Sequence, residues 1–489
     1  MRRLSVIFLA LFLGAVTWAY DLPDLGDSSA AVFSSQDEKA LGREIMYDIR
    51  SDSSYFDDPE SVDFLNSVGN HLLAVSDDAV GMHFEFFLLQ DPTLNAFAMP
   101  GGYVGVHTGL MLAAENESEL ASVLAHEISH ITQHHIARMI EAQSKNTPLS
   151  IATMAAAILA ARSNPSASMG AIVGAQAGMI QSQLDFTREN EREADRLGIQ
   201  RLLKSGYDPR AMASFFSKLQ RYGRFYEGTS PAYLKTHPLT TERLAEIQDR
   251  LQNVPYRQVQ DGPDFQLIRA RIAALVGTPR DALHYFEGRP LDPRRPEERP
   301  MIYGKAVALW RSGRLEEAQR TLQTVRAVSP ANPLFDSLAA AIVRDQGDYA
   351  QALTLYRSAL RHYPDQRALN YGYISTLLDA HQDQDALETI NNRLLLTRSD
   401  YHLYDFQARA YAHLNKQMQS HEALAQSYLL QDNLTAALDQ LQIAQRSGDG
   451  DFYENSTVEA RIKDIKKQLT QAKKKGGGDT QFSDRFHAL

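Results

Sequence analysis

His126-Glu127-Ile128-Ser129-His130 is an H-E-x-x-H pentapeptide set in a strongly helical stretch. Asn116-Glu117-Ser118-Glu119 reads as a capping box ahead of it, and Leu120, Val123, Leu124, Ile128 and Ile131 recur at helical spacing. Residues four apart lie one above the other on a helix, so His126 and His130 converge on one zinc ion. Glu127 then stands beside them to take a proton from an attacking water. The plain alternative is a surface helix that happens to carry two histidines.

Tetrahedral catalytic zinc takes three protein ligands and keeps a fourth position open. The extended pattern H-E-x-x-H-x-x-G-x-x-H is excluded, because Gln133 and Ile136 occupy its glycine and last histidine positions. His134 and His135 lie in the wrong register for the same metal and read as solvated residues at the helix end. The other solution is a glutamate from a second helix, and the segment Thr187-Arg188-Glu189-Asn190-Glu191-Arg192-Glu193-Ala194-Asp195 offers one. Glu191 and Asp195 share a helical face, whereas Glu193 points away from both. Glu191 is therefore expected as the third ligand, with Asp195 as an outer carboxylate accepting a hydrogen bond from a ligand imidazole. Without the pentapeptide upstream, this segment would read as an ordinary charged helix.

The pair of motifs resembles the zinc endopeptidases of the HtpX and CaaX prenyl protease class, in which the glutamate three residues before the Ala-Asp pair is the third ligand. That position is Glu191. Two further segments carry the resemblance. Asn95-Ala96-Phe97-Ala98-Met99-Pro100-Gly101-Gly102-Tyr103 resembles the substrate-side strand before the zinc helix, which implies substrate contacts at Asn95, Phe97, Met99, Gly101 and Gly102. His237-Pro238-Leu239-Thr240-Thr241-Glu242-Arg243 resembles the downstream H-P-x-x-x-x-R element near the metal. His237 there has two readings, as a donor to the tetrahedral oxyanion with Arg243 assisting, or as an inhibitory ligand closing the open zinc position. The resemblance covers roughly residues 35 to 250. It implies a zincin-type (gluzincin) α+β metalloprotease domain with a small sheet and one zinc ion per chain.

The N-terminus opens with Arg2-Arg3, an apolar run from Leu4 to Val16, and Thr17-Trp18-Ala19, which reads as a cleavable secretory signal over residues 1–19. The run is short for a spanning helix, which takes about 20 apolar residues. Export is thus expected. The chain holds no cysteine, which excludes a disulfide scaffold and a thiol nucleophile. A net charge of −10 without a basic stripe argues against nucleic acid, and the lack of a G-x-x-x-x-G-K loop argues against nucleotide.

With 489 residues, more than one domain is expected. The protease domain is placed at 34–253, entered through a capping box at Ser35-Gln36-Asp37-Glu38. Between its two ligand helices, residues 149–180 are alanine-rich and almost uncharged. They form either a buried helical hairpin or a lid that also touches membrane or a hydrophobic client. Further on, Gly313 with Ala318 and Gly347 with Ala352 recur 34 residues apart, and Ala386 falls another 34 on. Pro330 and Pro364 keep the same spacing. The period signals tetratricopeptide repeats, placed at 264–446 with an earlier degenerate unit at Gly277 and irregular last units. Residues 470–489 read as a disordered tail. The whole chain is expected to be mainly α, with an α-solenoid following the protease domain.

This order of parts resembles periplasmic proteases that combine the metalloprotease domain with such repeats. The resemblance implies degradation of unfolded or misassembled outer-membrane β-barrel proteins, and contact with the β-barrel assembly machinery through the repeats. The rival reading is a chaperone or scaffold whose repeats do the work and whose protease is latent.

Overall fold

The computed structural model describes residues 33–144, 177–225, 231–255, 259, 262–288 and 290–476. The expected signal at 1–19 lies outside them, as does the insert at 149–180 up to residue 176.

Helix α1 (Ser35–Ser51) starts one residue earlier than the sequence pattern indicated. Ser34 is the cap, its hydroxyl accepting from Asp37 N–H at 3.2 Å while the Asp37 carboxylate takes Ser34 N–H. Helix α2 (Pro59–Leu73) is capped by Asp58. Three strands follow, β1 (Glu85–Leu89), β2 (Ala96–Met99) and β3 (Tyr103–His107), in the order β1-β3-β2. β1 runs parallel to β3 and β2 antiparallel to it, so β2 forms an edge. The β2–β3 turn uses Gly101 and Gly102 at φ 82° and 92°. A Cβ on Gly102 would lie 1.7 Å from the His83 carbonyl oxygen, so only glycine fits there.

Helix α3 (Thr108–Ala113) leads into α4 (Glu117–Thr132), which carries the pentapeptide. Asn116 caps α4 by accepting from Glu119 N–H at 2.9 Å. The Glu119 side chain does not complete a capping box. It takes Glu115 N–H and the buried Lys218 ammonium, each at 2.7 Å. Residues 118–129 of α4 are all buried, because the sheet, α2 and later helices enclose it. α5 (His135–Ser144) is separated from α4 by His134, which adopts φ 50°. Then come α6 (Ala177–Ser205), packed along α4, α7 (Arg210–Phe225), the short α8 (Ala232–Thr236) and α9 (Thr241–Gln252).

The repeat region pairs α10 (Pro263–Leu275) with α11 (Pro279–Glu287), α12 (Arg299–Arg311) with α13 (Leu315–Arg326), and α14 (Pro333–Asp345) with α15 (Tyr349–His362). It continues through α16 (Arg367–Asp379), α17 (Asp383–Leu396), α18 (Tyr401–His413), α19 (Gln417–Leu430) and α20 (Leu434–Arg446). Ala318, Ala352 and Ala386 are fully buried, as small residues at a helix–helix crossing must be. The last helix, α21 (Phe452–Gly476), takes in the first part of the expected tail, and residues 477–489 lie outside the described ones. Val458, Ile462 and Ile465 pack on Leu441, so the chain stays helical to Gly476.

The turn-rich stretch after Asn253 is not a break in packing. One buried cluster runs from Phe56 through Phe215, Phe265 and Ile268 to Ile342, joining the protease fold to the first repeats. Charge reinforces the join at the acidic start of α2. Arg271 contacts Asp58 at 2.7 Å and Glu60 at 2.5 Å, and Ser337 donates to Glu60 at 2.7 Å. Arg367 meets Asp63 at 2.7 Å, and Tyr401 donates to Asp57 at 2.8 Å.

Candidate metal centre

α4 and α6 pack side by side, and that contact brings the two sequence motifs together. His126 Nε2 and His130 Nε2 lie 3.0 Å apart. Glu191 approaches from α6, with its oxygens 3.4 Å from His126 Nε2 and 3.5 Å from His130 Nε2. His237, just past α8, places Nδ1 at 2.9 Å from Glu191 and 3.4 Å from His126 Nε2. One ligand atom from each of His126, His130, Glu191 and His237 falls within 4.8 Å of the others. Helical register and one downstream loop thus converge four metal-binding groups on a single point.

The surroundings orient this set. Asp195, one turn beyond Glu191, has Oδ1 at 3.0 Å from His126 Nδ1. Arg243 on α9 donates to both Asp195 oxygens at 2.8 Å and to the Pro238 carbonyl at 2.7 Å, and meets Glu191 at 2.7 Å. Its guanidinium is buried against the carboxylates, which makes it a clamp between the Glu191 helix and the His237 segment. Glu193 stays away from the ligand atoms, as its register requires.

Glu127 is fully buried beside the cluster, and neither of its oxygens has a hydrogen-bond partner among the described residues. His237 Nε2 lies 3.6 Å from Glu127 Oε1. A buried carboxyl left this way is costly unless the site's own chemistry uses it. Charge in the pocket favours a cation. Three carboxyl groups, Glu127, Glu191 and Asp195, are buried here, and the Arg243 guanidinium pairs with Glu191 and Asp195. Burial opposes charge on His126, yet Asp195 and Glu191 outweigh it and push the imidazole up to about 10. Burial holds His130 well below its usual value, in the neutral form a ligand needs. These residues fit a divalent metal.

Three contributors escaped the sequence reading. His135 is buried, not solvated: the left-handed turn at His134 folds it back so that its Nδ1 sits 2.9 Å from His130 Nδ1. Its Nε2 reaches Glu193 at 3.1 Å, and Arg138 donates to the same carboxylate at 2.9 Å. Arg201 on α6 is buried under the end of α4, donating to Thr132 Oγ1 at 2.8 Å and also to Ser129 and Asp78. Tyr233 stacks on His237 with centroids 4.6 Å apart, and its hydroxyl has no partner among the described residues. Nothing in residue spacing links any of the three to the motifs.

The residues expected at the substrate lie on and around the edge strand. Phe97 is half-buried on β2, whereas Asn95 and Met99 are buried, so any contact from them goes through the backbone. Gly101 and Gly102 serve the turn. No described strand pairs with the outer edge of β2.

A metal-binding His, His, Glu set on two packed helices, beside a buried glutamate and followed by helical repeats, defines a metallopeptidase with tetratricopeptide repeats. The comparisons agree with the geometry. The model for "Peptidase family M48" matches residues 64–251, and tetratricopeptide repeat models match 303–367 and 343–410. The chain is 33% identical over 473 residues to the Beta-barrel assembly-enhancing protease of Escherichia coli O157:H7, covering 94% of this chain and 96% of that one. It is 30% identical over 187 residues to the Mitochondrial metalloendopeptidase OMA1 of Arabidopsis thaliana, covering 37% and 35% respectively. The chain belongs to peptidase family M48, together with the beta-barrel assembly-enhancing proteases.

Proposed function

We propose that the chain is a zinc-dependent endopeptidase of the periplasm, exported by the signal at 1–19, that degrades unfolded or misassembled outer-membrane β-barrel proteins. The observation that carries the chemistry is the convergence of His126, His130, Glu191 and His237 within 4.8 Å beside the buried Glu127. Zinc in such a site supplies Lewis acidity, polarising the scissile carbonyl and acidifying water. Glu127 accepts the proton from the attacking water and passes it to the leaving amine. Asp195 orients His126, His135 orients His130, and Arg243 holds both Asp195 and Glu191 in place. An extended substrate adds a strand to the outer edge of β2, giving main-chain recognition with little sequence selectivity. That mode suits unfolded clients.

His237 acts as a latch. The reading is supported by its Nδ1, which sits with the three ligand residues, and by its Nε2, which lies 3.6 Å from Glu127. Opening the segment after α8 exposes the position that substrate needs. The repeats bind partners of the β-barrel assembly machinery, a reading supported by the name of the relatives and by the repeat class. A latent protease acting chiefly as a repeat scaffold is the second reading, favoured by the same His237 position. A pull-down from periplasm with zinc-loaded Glu127→Gln as a trap tests the proposal. Enrichment of outer-membrane barrel precursors is expected, and their absence from the trapped material would overturn the client assignment.

A further inference from the structure

The repeat turns hold a second constellation of metal-ligating side chains, unconnected with the protease motifs. Between the paired helices one residue takes a left-handed conformation to reverse the chain. Gly313 (φ 72°), Gly347 (88°), His381 (56°) and Asn415 (57°) occupy that place at a spacing of 34 residues. Glycine is free to adopt this conformation, whereas a Cβ makes it unfavourable. A histidine there contributes nothing to the turn that glycine lacks, except its imidazole.

That imidazole sits beside two other ligand groups. Asp383 begins α17 and is buried, while His413 ends α18 in the following repeat. His413 Nδ1 lies 2.7 Å from Asp383 Oδ1, and the His381 and His413 ring centres are 5.6 Å apart. One ligand atom from each residue falls within 4.8 Å of the others. Atoms sharing one zinc ion at bond lengths of about 2.0–2.2 Å lie roughly 3.3–3.5 Å apart. Both histidines are exposed, so rotation of their side chains closes the difference. Two imidazoles and one carboxylate suit Zn2+, Ni2+ or Cu2+ better than Mg2+ or Ca2+, which prefer oxygen donors.

We propose that His381, Asp383 and His413 bind a divalent transition-metal ion that ties the turn of one repeat to the first helix of the next. The hydrogen bond between His413 and Asp383 is the contact the ion replaces. Because the three groups converge only when the two repeats are stacked, the ion stabilises the superhelix at this joint.

The test compares the full-length native chain with His381→Asn and His413→Gln. His381→Asn installs the residue that the next repeat carries at the same turn, so the backbone is retained. Each protein is equilibrated with buffered micromolar zinc, and bound metal per chain is read by elemental analysis. The protease centre is identical in all three and cancels in the difference. The expected result is one more zinc ion in the native chain than in either variant, with a zinc-dependent rise in unfolding temperature that both variants lose. Equal metal content in all three would overturn the site. Loss in His413→Gln alone would overturn it as well, because His381 would then be no ligand.

Discussion

His237 Nδ1 lies 2.9 Å from Glu191 Oε1, although 46 residues and two helices separate them in the chain. The contact places the loop histidine among the groups that could hold a metal.

His237→Ala should therefore raise hydrolysis of an unfolded protein while metal content stays the same. A latch closed nine-tenths of the time gives about a tenfold increase when removed. The check is initial cleavage rate against metal stoichiometry. Lost cleavage with metal retained would instead make His237 an oxyanion donor, and unchanged kinetics would remove it from the site.

Glu191→Ala should abolish tight metal binding, since a ligand is lost. Glu193→Ala and His135→Ala act one shell further out, through His130 Nδ1, and should weaken metal affinity roughly 10–100-fold. Competition with a chromophoric chelator reads all three. An affinity in Glu193→Ala as low as in Glu191→Ala would mean the register on α6 is misassigned.

Arg271 is the buried charge that joins the repeats to the start of α2. Burial opposes charge on Asp58, but the Arg271 guanidinium outweighs it and holds that carboxyl below its usual range. Arg271→Ala leaves Asp58 and Glu60 buried without their cation and should cost about 3–5 kcal/mol in a urea melt. A loss below about 1 kcal/mol would mean water enters the joint freely.

The shared core makes a related demand on truncation. Cutting after Asn253 removes Phe265 and Ile268 from the protease core, whereas cutting after Asp345 leaves the cluster whole. The shorter fragment should be aggregation-prone and the longer one should bind metal, as judged by size-exclusion chromatography and metal analysis. A stable, metal-binding fragment ending at Asn253 would show that the core is divisible there.

What was legible in the chain followed from local geometry. Four-residue spacing on a helix places His126 over His130 and Glu191 over Asp195, and the 34-residue recurrence of Gly, Ala and Pro places the repeats. The rest depended on long-range packing. His135 reaches His130 only because His134 reverses the chain, and Arg201 reaches Ser129 only because α6 lies against α4. The cap of α1 shifted by one residue because Ser34 and Ser35 are chemically equivalent and only backbone geometry separates them. Which side chains of the first repeats pack on the protease core was not legible either, because proline and glycine after Asn253 mark a turn but say nothing of what packs beneath it.

The central claim is that a metal held by His126, His130 and Glu191 works with Glu127 to hydrolyse peptide bonds. The most direct measurement is cleavage of an unfolded outer-membrane β-barrel protein by zinc-loaded His237→Ala and by the same variant carrying Glu127→Gln. Both should hold equal metal, and the second should cleave about 100- to 10,000-fold more slowly, the range expected for a lost general base. Equal rates in the two, or no cleavage by either, would contradict the account.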